Sequence, residues 1–467
     1  MELFMEWITI VYNLLWGDLF CIALPGGGTI GISLLALILV PAGIFFTLRT
    51  GLLPIRLFPE MVRLSLEKQT GKQDGALSGI QALVVSTATR VGMGNMVGVV
   101  AAISAGGAGA VFWMWVTALI GCSTAFVEAT LAHLHNEPDP LYGGLRGGPA
   151  YYIHRHYAKS RTANRYSLIA VLFALSGLLC WCGVSQVISN SVSSAFEYAF
   201  QIPPIVSTAV LVVLAAIVVL RRNATVKVLD VMVPVMAVFY FGIAVYVTVT
   251  NAALLPDVSR RIFEEAFGLR QMAAGGFGAA LMNGVKRGLF SNEAGSGSAP
   301  CAAAAANVSH PAKAGLMQAF GVLIDTIVIC SCTAFIILLA PESALAGLEG
   351  MPLLQSAMFH HFGQAGVIFT AVTLWLFSFS TFVGILYYAR GNVAYLFGDK
   401  WRPQTMYKLL ALVMLFIGGL ATYTFVWELG DIGIALMTVF NMMVLIPMSR
   451  KAIRSLNEYT ALPKDQR

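Results

Sequence analysis

Thr89-Arg90-Val91-Gly92-Met93-Gly94-Asn95 lies inside an apolar run, 77–104, that is long enough to cross a bilayer as one helix. A second run, 271–290, carries Ala274-Gly275-Gly276-Phe277-Gly278. Gly inside a helix costs about 1 kcal/mol relative to Ala and admits backbone angles that other residues resist. Where such a helix unwinds in lipid, no water is at hand for the freed N–H and C=O groups, so a cavity, an ion or a substrate must satisfy them. Freed N–H groups at a half-helix start favour a carboxylate; freed carbonyls favour Na⁺ or an ammonium group. One interrupted helix of each kind predicts a site for a small zwitterion and a cation. The bland alternative is that these glycines only let helices pack closely.

Composition sets the solvent. Of the 467 residues 58% are hydrophobic and only 11% charged, with a mean hydropathy of +0.77; a soluble domain carries about 25% charged residues. So few charges cannot cover a soluble surface, which excludes a soluble enzyme, a disordered chain and a nucleic-acid binder. Eleven apolar runs are long enough to span: 28–48, 77–104, 110–134, 167–195, 204–220, 228–250, 271–290, 314–340, 364–389, 408–426 and 431–449. They are too continuous for barrel strands. Residues 2–16 alternate acids and bulky apolar residues at helical spacing, which predicts an amphipathic interfacial helix rather than a signal peptide. The seven Cys are scattered, several inside apolar runs, and read as small buried hydrophobes.

Charge sets the orientation. With a cytoplasmic C-terminus, the inside segments 49–76, 135–166, 221–227, 286–313, 390–408 and 450–467 hold 25 of the 29 Lys and Arg. The outside segments hold Arg260, Arg261 and Arg270, and Arg90 falls within a span. Retention of cations inside supports an odd number of spans with the N-terminus outside. The net charge of +6 is then a topology signal rather than the mark of an anionic partner. Setting the first span aside leaves two sets of five, which enter the membrane from opposite sides, as in inverted-repeat secondary transporters. The expected units are an amphipathic segment 1–25, an extra helix 26–50, repeats 77–250 and 271–449, and a cytoplasmic tail 450–467.

Several stretches resemble one family. They are Gln81-Ala82-Leu83, Ala88 to Val99, Phe112-Trp113-Met114-Trp115, Gly147 to Tyr152 and, most specific, Arg287-Gly288-Leu289-Phe290-Ser291-Asn292-Glu293-Ala294-Gly295-Ser296-Gly297-Ser298-Ala299-Pro300, with His310-Pro311, Asp325-Thr326 and Phe379-Ser380-Thr381. Together they are similar to the alanine or glycine:cation symporters of the amino acid–polyamine–organocation superfamily, across roughly residues 30–450. The resemblance implies an all-α integral membrane protein of 11 transmembrane helices, a LeuT-like 5+5 inverted repeat preceded by one extra N-terminal helix. It also implies a bacterial or archaeal inner-membrane location and Na⁺-coupled uptake of alanine, glycine or serine, with no organic cofactor.

Carried over residue by residue, the resemblance assigns the substrate carboxylate to Gly92, Met93 and Gly94. The substrate amino group falls to carbonyls of Gly275, Gly276, Phe277 and Gly278, and sodium to Ala88, Val91, Phe377, Ser380 and Thr381. Phe377, Ser380 and Thr381 share one helix face, and hard oxygen donors suit a small hard cation. A Ser-Thr pair in a membrane helix is also commonly bonded to its own preceding carbonyls. The sequence departs from the family at Ile188, where relatives carry Gln, unless Gln186 substitutes.

Charges inside spans cost roughly 2.5–3.5 kcal/mol on insertion scales. Arg90, Asp325 and Glu128 are therefore candidates for coupling or for structural pairing, Asp325 with Arg90 or Arg287, and Asn95 for a second cation. Glu128 lies near the inside end, where snorkelling weakens its case. Glu264 and Glu265 are placed at an outside helix start. Gly92-x-Gly94-x-x-x-Gly98 lacks the strand of a dinucleotide loop, and His133-x-His135 lacks further ligands; no enzyme signal emerges. The expected partners are a small amino acid and the lipid bilayer, with no nucleic acid. A proton-coupled carrier or exchanger, a passive channel and a ligand-binding scaffold are the competing readings.

Overall fold

The computed structural model describes residues 2–24, 28–67, 77–157, 167–221, 225–269 and 276–463. Helix α1, Glu2–Trp16, forms as its spacing predicts, but it lies against the protein: Leu15 and Trp16 are buried, and the Trp16 indole donates to the Asp431 carbonyl at 3.1 Å. A hairpin follows, β1 (Phe20–Leu24) against β2 (Gly28–Ile32), so the apolar helix α2 begins only at Leu34 and ends at Arg49. The expected start at 28 was too early because Gly28, Thr29, Ile30 and Gly31 favour strand and turn over helix.

The remaining long helices are α3 (Gly79–Gly106), α4 (Gly109–Leu134), α5 (Leu168–Phe200), α6 (Pro204–Val219), α7 (Thr225–Thr250) and α8 (Leu255–Ala266). After them come α9 (Gly276–Asn292), the short α10 (Pro300–Ala303), α11 (Pro311–Leu338), α12 (Met351–Phe362), α13 (Gln364–Phe397), α14 (Trp401–Gly418) and α15 (Tyr423–Ala461). Among the described residues seven helices are long and apolar enough to cross a membrane: α3, α4, α5, α7 over 231–250, α11, α13 and α15. The turn between α14 and α15 falls at 419–422, earlier than expected, so the end of the 408–426 run is that turn and the start of α15.

Packing divides the helices into two groups. α4 packs on α9 and α11, and α3 on α11; α5 packs on α13, α14 and α15. α13 reaches across to α3 and joins the groups. The outer faces stay apolar: on α7, Val231, Val238, Phe239 and Val249 are each at least two-thirds exposed. That much apolar surface is stable against lipid and unstable against water. Charged residues withdraw from it into pairs or caps. Glu265 does not start a spanning helix; it is buried and accepts from the backbone N–H groups of Ala108 (2.6 Å) and Gly109 (3.4 Å), capping α4 from a neighbouring helix.

Lys286 and Arg287 do not lie in an inside loop either. Both are buried in α9 and pair with Asp431 of α15, at 2.7 and 3.1 Å, so two of the 25 cations counted inside belong to the protein interior. At the other end of the bundle, Leu77–Ser78 pair in parallel with Ala306–Asn307, which brings the start of α3 beside the end of α10. A capping box, Gln81 N to Ser78 Oγ at 2.9 Å and Ser78 N to Gln81 Oε1 at 3.0 Å, opens α3 there.

Candidate substrate and cation site

α3 does not unwind at its glycines. Arg90–Gly98 continues as π-helix between two α-helical halves. A π turn shifts the carbonyl register while keeping its hydrogen bonds, a low-cost distortion where the backbone is buried away from water. It also brings the backbone hard against α13. A Cβ on Gly92 would sit 2.1 Å from Thr381 Oγ1, so only glycine fits. Met93 N donates to Thr381 Oγ1 at 3.3 Å. Thr381 Oγ1 and Ser380 Oγ each lie 3.4 Å from the Ala88 carbonyl and 2.8 and 2.9 Å from that of Phe377. Ala88, Phe377, Ser380 and Thr381 therefore form one buried group of four oxygens, with Met93 N donating to one of them. Such a donor set suits a small hard cation. The hydroxyls also bond their own helix, as side chains in this position commonly do. Val91 belongs to the π segment.

Among the described residues, helix is lost in another stretch. Gly275 is outside the described residues. Gly276, with φ +79°, and Phe277 and Gly278 open α9 at one end, where the Phe277 ring meets Trp113 at 6.0 Å. The helix breaks after Asn292, where Glu293 (φ +58°), Gly295 (+92°) and Gly297 (+84°) take left-handed angles before α10 resumes at Pro300. Of the expected break at 274–278, Ala274 and Gly275 lie outside the described residues; within those described the helix is lost at 293–299, in the stretch 286–313 assigned to the inside.

The π segment and this break face a common hollow of about 30 Å³, room for a water but for no amino acid. Its wall includes Thr89, Met93, Gly94, Trp181, Glu293 and Thr381. Ser298 Oγ donates to Glu293 Oε2 at 2.8 Å, Ser296 and Ser298 bond at 2.9 Å, and Tyr388 connects Glu293 (3.5 Å) to Thr89 (2.6 Å). Glu293 is the residue that sequence reasoning missed. Its signal was an acid inside the most family-specific stretch, among small residues that can leave the helix. Neither Ile188 nor Gln186 lines the hollow; Gln186 faces Met414, and α5 instead contributes Cys180, Trp181 and Val184.

The other intramembrane charges sort differently from expectation. Asp325 pairs with neither arginine. It lies in a second π segment, Ile324–Cys330, and accepts from Asn95 Nδ2 (2.7 Å), Ser291 Oγ (2.8 Å) and Thr326 Oγ1 (2.9 Å). Asn95 also accepts from Gly92 N at 3.1 Å, so Asp325 is tied to the π turn itself. Arg90 bonds the carbonyl and side chain of Gln318 at 3.1 and 3.3 Å. Glu128 does not snorkel: it is 1% exposed, accepts from Gly295 N at 3.0 Å and from the Asn441 amide, and so holds the broken backbone.

Residues 23–467 match the sodium:alanine symporter family. The chain is 40% identical to the "Probable sodium/glutamine symporter GlnT" of Bacillus subtilis, over 92% of this chain and 89% of that one. It is 41% identical to the amino-acid carrier protein AlsT of the same organism (90% and 88%) and 31% identical to the sodium/alanine symporter AgcS of Methanococcus maripaludis (99% of each). Among solved structures, MhsT in complex with L-phenylalanine aligns with a TM-score of 0.57 at 12% identity, covering 82% of this chain and 96% of that one. The manganese transporter of Eremococcus coleocola aligns at 0.51 and 13%, covering 83% and 81%. These likenesses establish a LeuT-like transporter fold. A multi-pass membrane transporter rather than an enzyme, this chain belongs to the sodium:alanine symporter family.

Proposed function

We propose that the chain is a sodium-coupled symporter importing small neutral amino acids by alternating access, with its N-terminus outside and its C-terminus in the cytoplasm of a bacterial or archaeal plasma membrane. In this reading eleven spans form two inverted sets of five behind α2, α9 and α10 counting as one broken span. The observation that carries it is the four-oxygen group of Ala88, Phe377, Ser380 and Thr381 beside a hollow walled by a π turn and a broken helix. Sodium binds that group, joined by the Val91 carbonyl. The substrate carboxylate lies beside the π turn at Met93 and Gly94, and its ammonium takes Glu293 and the carbonyls freed at the break. Each sodium crossing about 100 mV inward supplies about 2.3 kcal/mol before its concentration gradient is counted.

Sodium and substrate share Thr381, which lies on both the oxygen group and the hollow, so each fills part of the other's site. The group α3, α4, α9 and α11 then rocks against α5 and α13 to expose the hollow inward. Uptake of radiolabelled alanine, glycine, serine and glutamine into proteoliposomes, with and without a sodium gradient, tests this. Accumulation of alanine or glycine only with sodium is expected; equal uptake without it would refute the coupling.

A proton-coupled variant is favoured by one specific observation: Glu293 and Asp325 are bonded by neutral donors, with no cation paired to either among the described residues. It expects alanine-driven alkalinisation outside sodium-free vesicles, lost in Asp325→Asn or Glu293→Gln.

A further inference from the structure

A second cavity, of about 260 Å³, opens at the end of the bundle opposite the Leu77–Ala306 pairing, between the last turn of α3, α9, the start of α15 and Tyr12 of α1. Three buried polar atoms on its lining residues have no hydrogen-bond partner: Arg287 Nε, Trp427 Nε1 and Ser104 Oγ. The first two can only donate, and the hydroxyl can. Leaving a buried donor unpaired costs about 1–3 kcal/mol, and native proteins rarely tolerate it without a reason. Three around one cavity call for an acceptor.

Charge points the same way. Lys286 and Arg287 share the single carboxylate of Asp431, which leaves one positive charge in excess at the buried base. Nearer the surface stand Glu349, exposed, and Glu428, half-buried, neither ion-paired among the described residues. A donor-rich positive floor under an acidic rim matches an α-amino acid held carboxylate down and ammonium up. The Trp427 ring supplies an apolar wall. It also meets the Phe290 ring, tilted at 51° with centroids 4.9 Å apart, and Phe290 lines the central hollow, so this pair separates the two spaces.

We propose that this cavity is a second amino-acid site, which binds the zwitterionic head of the substrate before the Phe290–Trp427 partition admits it to the central hollow. Its larger volume makes it a reader of the α-amino and carboxylate groups, leaving side-chain selection to the narrower hollow. The inference rests on the amino-acid transport proposed above, and its test separates the two. Equilibrium dialysis of purified protein in saturating sodium, with tritiated L-alanine and then L-glutamine as probes, counts bound molecules per chain.

Two alanines per chain are expected, falling to one in Gly94→Leu, which blocks the hollow, and to one in Trp427→Phe/Ser104→Ala, which removes two donors while keeping a ring against Phe290. Glu428→Gln, a mild change at a half-buried position, should weaken only the second site, about tenfold. A wild-type count of one, lost in Gly94→Leu and untouched by Trp427→Phe/Ser104→Ala, would overturn the second site and leave the symporter reading intact. No binding of either probe would overturn both.

Discussion

α3 and the α9–α10 pair occupy corresponding places in the two proposed repeats, yet they distort in different ways. α3 keeps its coil by widening to a π turn over Arg90–Gly98. The α9–α10 pair loses it outright from Glu293 to Ala299. The difference follows from what surrounds each backbone. α3 is pressed against α13, where Gly92 leaves no room for a Cβ and Thr381 and Asn95 bond the turn. The break in the second helix has outside help: Glu128 accepts from Gly295 N, and Asn441 donates to the Gly295 carbonyl at 3.0 Å. A buried carboxylate and amide replace the lost helical bonds, which a buried backbone requires. One helix thus carries a register shift and the other a true gap.

Substitutions can break that contrast. The largest effect is expected from Gly94→Leu, whose side chain would enter the hollow from the π turn, where even a Cβ lies 3.3 Å from Ser291 Cα. Alanine uptake should fall at least a hundredfold while expression persists; retained uptake would show that the turn does not face the substrate. Glu128→Ala removes the acceptor for Gly295 N and a partner of Asn441, at about 1–3 kcal/mol. Thermal denaturation in detergent should show a clear loss of stability, whereas an unchanged midpoint would mean the gap holds itself open.

Gly295→Ala tests the same gap from the backbone. Its φ of +92° and a Cβ 2.6 Å from Leu39 Cδ2 both oppose a side chain, for about 1–3 kcal/mol of overpacking and strain. Ser380→Ala sharpens the other half of the comparison: removing one of the four oxygens should raise the sodium concentration for half-maximal uptake about tenfold, with little change in the alanine concentration required. The smallest effect concerns how the chain resumes after the gap. α3 starts on the non-titrating Ser78–Gln81 box, whereas α11 starts on His310, whose Nδ1 accepts from Ala312 N at 3.2 Å. Burial holds this imidazole below its ordinary value of 6.5. The cap is therefore intact above that pH and lost as pH falls through the lowered value. His310→Ala should cost about 0.5–1 kcal/mol near neutral pH and nothing in acid, read from paired melting curves.

Much of this was legible in the chain. Continuous apolar runs gave the helices because a bilayer demands length and hydrophobicity, and Phe377, Ser380 and Thr381 share a face by helical spacing alone. The oxygens of the proposed cation group come together this way, since Ser380 and Thr381 of α13 meet the Ala88 carbonyl. Glu293 was not. An acid among Ser, Gly and Ala reads as a loop, and the partners that let it leave the helix inside the bundle, Tyr388, Ser298 and Glu128's hold on Gly295, come from 5 to 167 residues away. Lys286 and Arg287 were misassigned for the same reason: only the approach of Asp431, 144 residues beyond Arg287, turns two surface-like cations into buried ones.

The sequence by itself determined that the chain belongs in a bilayer, roughly where it crosses, and which family it resembles, because hydropathy and short motifs act over neighbouring residues. Only the tertiary structure decided which helix merely widens and which one parts, and which charges go inside. Those choices depend on whether a distant side chain arrives to satisfy a freed backbone group or to neutralise a buried ion, and sequence proximity carries no record of that arrival.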